Sequence, residues 1–395
     1  MNNIADDAKG LKDRKKELYI YGTGLYGRNI YQILSNNHIE IDGFIVTGEP
    51  DEGDLFGVPV HRAEDVLSDK NATGIIMGMN RHNAREVKSV LNDYNIADES
   101  VLWGYQYIDN GGNRGGYDEK PTVEITTRIG CRVNCRFCPQ KTLMNRYFCE
   151  NQKRDAEMSL ERFIRCLDRL PDECTILFSG MVEPFLNTHC GEMIEYACKS
   201  GHKVDLYTTL VGTTDEDIER ICDLPIGFIG LHVADQKGYA AIPLSEGYYE
   251  KLERVLSSKK ADGSPLVNLC NAQAEPVDKV EEICSRYGYH VLMALFDRAG
   301  NIEGEDLLHK KQLAGRLKCS LCGQKANHNI LLPDGTLVLC CMDYGLQHVL
   351  GNLLESTYAE IMNGKEIRKV RKGMGGDESI DILCRHCSSA TVIRG

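Results

Sequence analysis

A chain of 395 residues is too long for one ordinary domain and fits two or three. With 42% hydrophobic and 26% charged residues it can bury sizeable cores. Its net charge of −12, from 46 basic and 58 acidic side chains, argues against a long groove for nucleic-acid phosphates. No apolar run approaches the ~18 residues needed to cross a bilayer. The start, Met1-Asn-Asn-Ile-Ala-Asp-Asp7, is acidic where an export signal is basic and then apolar. A cytoplasmic protein with no nucleic-acid or membrane partner is expected.

Strand and helix patterns alternate over residues 1–112. Residues 18–21, 43–47 and 74–78 read as strands. Tyr26, Ile30, Ile33 and Leu34 mark one helix, and Val87, Val90, Leu91 and Tyr94 another. The alternation predicts a small βαβ unit around a parallel sheet. Between its first strand and helix lies Gly22-Thr-Gly24-Leu-Tyr-Gly27. Gly22, Gly24 and Gly27 at this spacing permit a tight turn and close approach of a phosphate to the helix N-terminus. The acid that grips a ribose at the end of the second strand is missing. Val46-Thr47 stands there, with Glu49 and Asp51 later in the loop. Purely structural glycines and a phosphate-bearing ligand both stay open. The unit resembles the Rossmann-like modules attached to bacterial glycan and nucleotide-sugar enzymes, which implies docking of a nucleotide or phosphorylated substrate.

A polar glycine-rich linker is expected over 109–116, and the alternation restarts after it. Strands are predicted at 123–127, 175–178, 204–207, 226–231, 266–269 and 289–296. Helical spacing separates them at Leu160/Phe163/Ile164/Leu167, Leu252/Val255/Leu256 and Val277/Val280/Ile283/Tyr287, with a capped start at Thr214-Asp-Glu-Asp217. Six β/α units over 118–312 predict a partial (β/α)6 barrel, since a full eight-unit barrel takes about 250 residues. The last region, 313–395, reads as a small cysteine-rich domain containing a hairpin that turns at Pro333-Asp-Gly335.

The cysteines carry the chemistry. Seventeen in a large chain expected to be cytoplasmic point to metal or redox sites before disulfides. Cys131-Arg-Val-Asn-Cys135-Arg-Phe-Cys138 follows the first strand of the second region directly. Three thiolates on one short loop can hold three corners of a [4Fe–4S] cluster and leave one iron open. Structural zinc with Cys149 as fourth ligand is the alternative. Further on come Cys319-x2-Cys322, Cys340-Cys341 and Cys384-x2-Cys387, a set that zinc could also use. Cysteines such as Cys166, Cys174, Cys270 and Cys284 sit within strand or helix patterns and read as small buried apolar residues.

The C-x3-C-x-aromatic-C loop resembles that of the radical S-adenosylmethionine (SAM) family, over about 121–301. The resemblance implies a SAM-binding [4Fe–4S] cluster held by Cys131, Cys135 and Cys138. It also implies one-electron cleavage of SAM to a 5′-deoxyadenosyl radical that abstracts hydrogen. Phe137 matches the aromatic residue beside the adenine. Gly180 and Glu183, in Phe178-Ser-Gly-Met-Val-Glu-Pro184, match the segment that holds the SAM amino group, with two residues inserted between them. Thr208 matches the family position after strand three, and His232 after strand four is a candidate ribose or carboxylate contact. Arg298, in Asp297-Arg-Ala-Gly300, is the candidate for holding a developing alkoxide.

Cys322 to Gly335 to Cys340 is C-x12-G-x4-C, which resembles the SPASM/Twitch extension of this family. No cysteine follows Cys387, so the resemblance implies one auxiliary [4Fe–4S] cluster on Cys322, Cys340, Cys384 and Cys387, with Cys319 and Cys341 as substitutes. The expected activity is oxidation or epimerisation of a carbohydrate-like small molecule or sugar nucleotide, driven by a flavodoxin- or ferredoxin-type reductant. The alternatives are a SPASM-type peptide maturase and a zinc-stapled nucleotide-binding scaffold.

Overall fold

Short apolar runs become parallel strands in both parts of the chain, as a computed structural model shows. It describes residues 4–50, 53–68, 72–79, 81–104, 107, 120–148, 155–260, 263–293, 298–300 and 312–393. The expected linker, Cys149, Asp297 and residues 294–296 of the last predicted strand lie outside these. The chain falls into two units, Met1–Gly116 and Tyr117–Gly395.

In the first unit, β1 (Glu17–Tyr21), β2 (Gly43–Val46), β3 (Asp54–Leu55), β4 (Val58–Arg62), β5 (Thr73–Met77) and β6 (Val101–Leu102) form one sheet in the order β3-β4-β2-β1-β5-β6. All pairings are parallel except β3–β4. Leu18, Ile20, Ile45, Ile75 and Ile76 are fully buried, as a sheet covered on both faces requires. Several elements were not expected, among them the first helix and the β3–β4 hairpin. Helix Ile4–Arg14 buries Ile4, Ala8 and Leu11 on one face, a spacing masked by the charged residues around it. The β3–β4 hairpin turns through Phe56 (φ 58°) and Gly57 (φ 75°), both left-handed.

In the second unit, β7 (Thr122–Ile125), β8 (Thr175–Phe178), β9 (Lys203–Thr208), β10 (Phe228–His232), β11 (Leu269–Ala272) and β12 (Val291–Met293) lie side by side in chain order, every pair parallel. The run predicted at 266–269 is corrected to Leu269–Ala272. Leu266 and Val267 are core residues ahead of the ladder, and Asn268 delays it. The Asn268 N–H donates to Ile229 O, and its side-chain oxygen accepts from Ile229 N, so strand pairing starts one residue later at Leu269. Thr214 and Asp217 form the expected reciprocal cap of helix Asp215–Asp223.

The sheet does not stop at β7. After β13 (Leu317–Cys319), strand β14 (His328–Leu331) pairs parallel with β7, and β15 (Thr336–Val338) and β16 (Val349–Asn352) follow antiparallel, giving nine strands. The β14–β15 turn ends at Gly335 (φ 86°), where a Cβ would lie 2.7 Å from Leu354. Strand β17 (Ala390–Val392) returns to pair with β13. Among the described residues, no helix is long and apolar enough to cross a membrane.

Candidate functional site

The carboxyl ends of a parallel sheet are where its loops can gather a ligand site. At these ends Ile125, Phe178 and Leu206 are aligned in register, and Thr208 stands opposite Leu231 on β10. The loop after β7 carries Cys131, Cys135 and Cys138, none of them in a disulfide. It curls because Gly130 (φ 90°) and Asn134 (φ 44°) take left-handed conformations. Asn134 N donates to Cys131 O and Cys138 N to Cys135 O, closing consecutive turns around the sulfurs. Burial pushes the Cys131 and Cys135 thiols up, and the neighbouring sulfurs add to it. Three crowded, buried sulfurs of this kind are stabilised by a multivalent cationic centre, which inverts that penalty.

Gly180 follows β8 with φ 58°, and a Cβ there would lie 2.4 Å from Thr126 Oγ1. Its N–H donates to Glu124 Oε2, and the adjacent Met181 N–H to Thr126 Oγ1. Glu183 stands beside the thiol loop, its N–H 3.5 Å from Cys131 Sγ. Its carboxylate is fully engaged. Oε1 accepts from Thr208 Oγ1 (2.7 Å) and Phe185 N, while Oε2 accepts from Thr209 N and Thr209 Oγ1 (both 2.6 Å). Burial raises the Glu183 pKa, and these hydrogen bonds oppose the rise. Thr208 therefore meets Glu183, and Thr209 is a second hydroxyl that the sequence reading did not single out.

Phe137 packs edge-on to Tyr239 with centroids 4.5 Å apart, and Arg136 N donates to Tyr239 O. His232, at the end of β10, stacks on Tyr207. Burial, with Arg298 nearby, lowers its pKa to about 4, so the ring is neutral at physiological pH. Arg298 and Ala299 are both left-handed (φ 51° and 54°), a strain of about 1–3 kcal/mol each that the surroundings must hold. The Arg298 guanidinium lies over the Tyr344 ring, 5.7 Å from its centroid, and Nε donates to Phe137 O. Burial alone would lower its pKa, but Tyr344, Cys138, Cys341 and Glu124 outweigh that and hold it charged.

The second group of thiols gathers in the region after β13. Cys322 lies within electrostatic reach of Cys319, Cys340 and Cys384, and Cys340 within reach of Cys341, Cys384 and Cys387. Cys341 interacts instead with Glu124 and Arg298 as well as Cys387 and Cys319. His348, 2% exposed, braces the Cys384 loop. Its Nε2 accepts from Leu383 N (3.2 Å), which leaves Nδ1–H to donate to Glu366 (2.8 Å).

In the first unit the three glycines differ. A Cβ at Gly27 would lie 1.9 Å from Gly22 O, and one at Gly22 2.9 Å from Gly78 O, whereas Gly24 has nothing within 4 Å. Glu49, downstream of β2, pairs with Arg62.

Residues 125–255 match the radical SAM superfamily model, and residues 322–388 match that of SPASM, an iron–sulfur cluster-binding domain. The chain carries a radical SAM domain followed by a SPASM domain. The SPASM match begins at Cys322 and runs just past Cys387. Similar solved structures include BtrN in complex with AdoMet and 2-DOIA, at 16% identity and TM-score 0.46, over 68% of this chain and 93% of that one. Another is anSMEcpe with bound AdoMet, at 14% identity and TM-score 0.37, over 68% of this chain and 85% of that one. A third is Streptococcus suis SuiB bound to precursor peptide SuiA, at 12% identity and TM-score 0.40, over 92% of this chain and 81% of that one. Among curated proteins none matches the chain in sequence.

With these domains come their cofactors: a [4Fe–4S] cluster, SAM and auxiliary iron–sulfur. The donors present fit them, because Cys135 lies within electrostatic reach of Cys131 and Cys138, and Cys340 within reach of Cys384 and Cys387, so each set gathers thiols for a cubane's corners.

Proposed function

We propose that this radical SAM protein oxidises or epimerises a hydroxylated, carbohydrate-like small molecule, a sugar nucleotide included, with electrons from a flavodoxin- or ferredoxin-type reductant. In this reading Cys131, Cys135 and Cys138 hold the SAM-binding cluster, and Cys322, Cys340, Cys384 and Cys387 hold the auxiliary one. The observation that carries it is the gathering of the second thiol set in the same unit as the first. When bound, the first cluster with SAM supplies a hydrogen-abstracting radical, and a fully thiolate-capped auxiliary cluster supplies an electron acceptor, as dehydrogenation requires.

The chain's own residues position and polarise. Phe137 and Tyr239 offer an aromatic wall against which an adenine stacks. Gly180 lets the turn after β8 pack directly against Thr126, and Glu183 with Thr208 and Thr209 fixes the loop around it. Arg298 offers its guanidinium to the substrate oxygen and stabilises negative charge developing there, its own charge maintained by the groups around it. His232 is kept neutral and offers a ring nitrogen to a ribose or carboxylate. The glycine turn of the first unit, with Gly24 open at the start of helix Leu25–Asn36, supports docking of a phosphorylated moiety.

The test uses anaerobically reconstituted full-length protein, SAM and a panel of C-deuterated sugars, aminocyclitols and sugar nucleotides. Deuterium should pass into 5′-deoxyadenosine. The product should lack that deuterium and the hydroxyl hydrogen for oxidation, or carry a solvent hydrogen in place of the deuterium for epimerisation. Arg298→Gln should lower turnover about 10²-fold while SAM binding persists. Transfer from peptides alone overturns the reading.

A further inference from the structure

Two loops 206 positions apart in the chain meet at one side-chain contact: Tyr344 Oη lies 3.2 Å from Cys138 Sγ. Tyr344 is 1% exposed and packs with Ile129, Leu143, Met181 and Val338 in an apolar cluster that Cys138 and Cys341 border. We propose that Tyr344 donates a hydrogen bond to the Cys138 thiolate and so sets the redox poise of the cluster that this cysteine holds. The proposal rests on the reading of Cys138 as a cluster ligand.

The direction of the bond follows from that ligation. A ligating sulfur has lost its proton, so only the phenol can donate. Hydrogen bonds to ligating sulfur draw charge away from the cluster and favour its reduced form. They count for more where water is excluded. The donor is also aimed in advance. Asp343 N donates to Cys340 O and Tyr344 N to Met342 O, so the backbone turns tightly just after Cys340. The Asp343 carboxylate accepts from Gln347 N and His348 N, closing the far side of the turn. The Arg298 guanidinium over the ring polarises the phenol and makes it a better donor. Tyr344 is thus a positioning residue that begins four places after one thiol of the auxiliary set and ends on a sulfur of the other. It makes the poise of the radical-generating cluster depend on how the SPASM hairpin is seated.

The experiment compares full-length wild type with Tyr344→Phe, a change that removes one oxygen and keeps the packing. Both are reconstituted anaerobically, and the SAM-responsive EPR signal is titrated against solution potential. The reduced-to-oxidised ratio of the variant should fall about tenfold at fixed potential, a downward shift of about 59 mV for a one-electron couple. Equal iron content and melting temperature tie that shift to the lost hydrogen bond. Electron–nuclear double resonance supplies a readout that needs no variant. Wild-type protein should show a cluster-coupled proton that exchanges in D2O, and the Phe variant should lack it. Equal midpoints, or no exchangeable coupled proton in wild type, overturn the proposal. A wild-type protein that forms no SAM-responsive cluster instead overturns the ligand assignment beneath it, a result recognisable before any variant is made.

Discussion

Glu124 and His328 are joined by a 2.6 Å hydrogen bond across the paired strands β7 and β14, with both side chains largely buried. The other oxygen of Glu124 accepts from Gly180 N at 3.1 Å. One carboxylate therefore ties together the first strand of the radical SAM region, the hairpin of the SPASM domain and the turn after β8.

Removing that carboxylate strands two partly buried partners. Glu124→Ala should cost about 2–4 kcal/mol of stability, the range for leaving two partly buried hydrogen-bonding groups unsatisfied. Glu124→Gln should cost less, because its amide oxygen still accepts one of the two hydrogen bonds. Anaerobic chemical denaturation of the cluster-loaded proteins measures both. A midpoint for the alanine variant equal to wild type would show that the tie contributes nothing.

Gly180→Ala meets two obstacles at once, a left-handed backbone and a Cβ 2.4 Å from Thr126 Oγ1. A loss of about 2–4 kcal/mol is expected. Because the Thr126 hydroxyl also receives Met181 N, the turn should shift and SAM affinity fall with stability. Calorimetric SAM titration alongside melting checks this, and unchanged binding would exclude a role for the turn.

The pH dependence has a definite sign. His232 has a folded pKa of about 4 against an ordinary 6.5, so between these values the unfolded chain binds more protons. Stability therefore falls as pH drops from 6.5 toward 4, by about 2–3 kcal/mol from this group alone. The wild-type slope should flatten in His232→Phe. Parallel slopes in the two proteins would place the ring in contact with solvent.

Iron content separates the two thiol sets. Wild type should bind about eight irons if two cubanes form. Replacing Cys131, Cys135 and Cys138 together should leave about four and abolish SAM cleavage. Replacing Cys384 and Cys387 should leave the SAM-responsive signal in place. A colourless protein carrying only zinc would refute the cluster assignment altogether.

What could be read from the sequence was what is local. The C-x3-C-x2-C loop needs only eight consecutive residues, and its place after a strand followed from the buried run at Val123–Ile125. The Asp-Gly hairpin and the Thr214 cap were legible for the same reason: each is specified within four residues or so. The strand at Leu269–Ala272 was misplaced because Leu266 and Val267 are apolar for the core and not for the ladder. Partnerships such as Tyr344 with Cys138, or Glu124 with His328, span more than 200 residues and leave no periodic trace. The engagement of Glu183 by Thr208 and Thr209 was equally hidden, since it needs β8 and β9 to be adjacent and in register.

The parallel pairing of β14 with β7 has a consequence for anyone dissecting the protein. A fragment cut before His328 would bare the backbone N–H and C=O groups along one side of Thr122–Ile125, a template for pairing with other chains. The radical SAM region is therefore not an excisable module. Truncations should aggregate where point substitutions stay in solution, and the SPASM hairpin serves the first strand as a permanent cover.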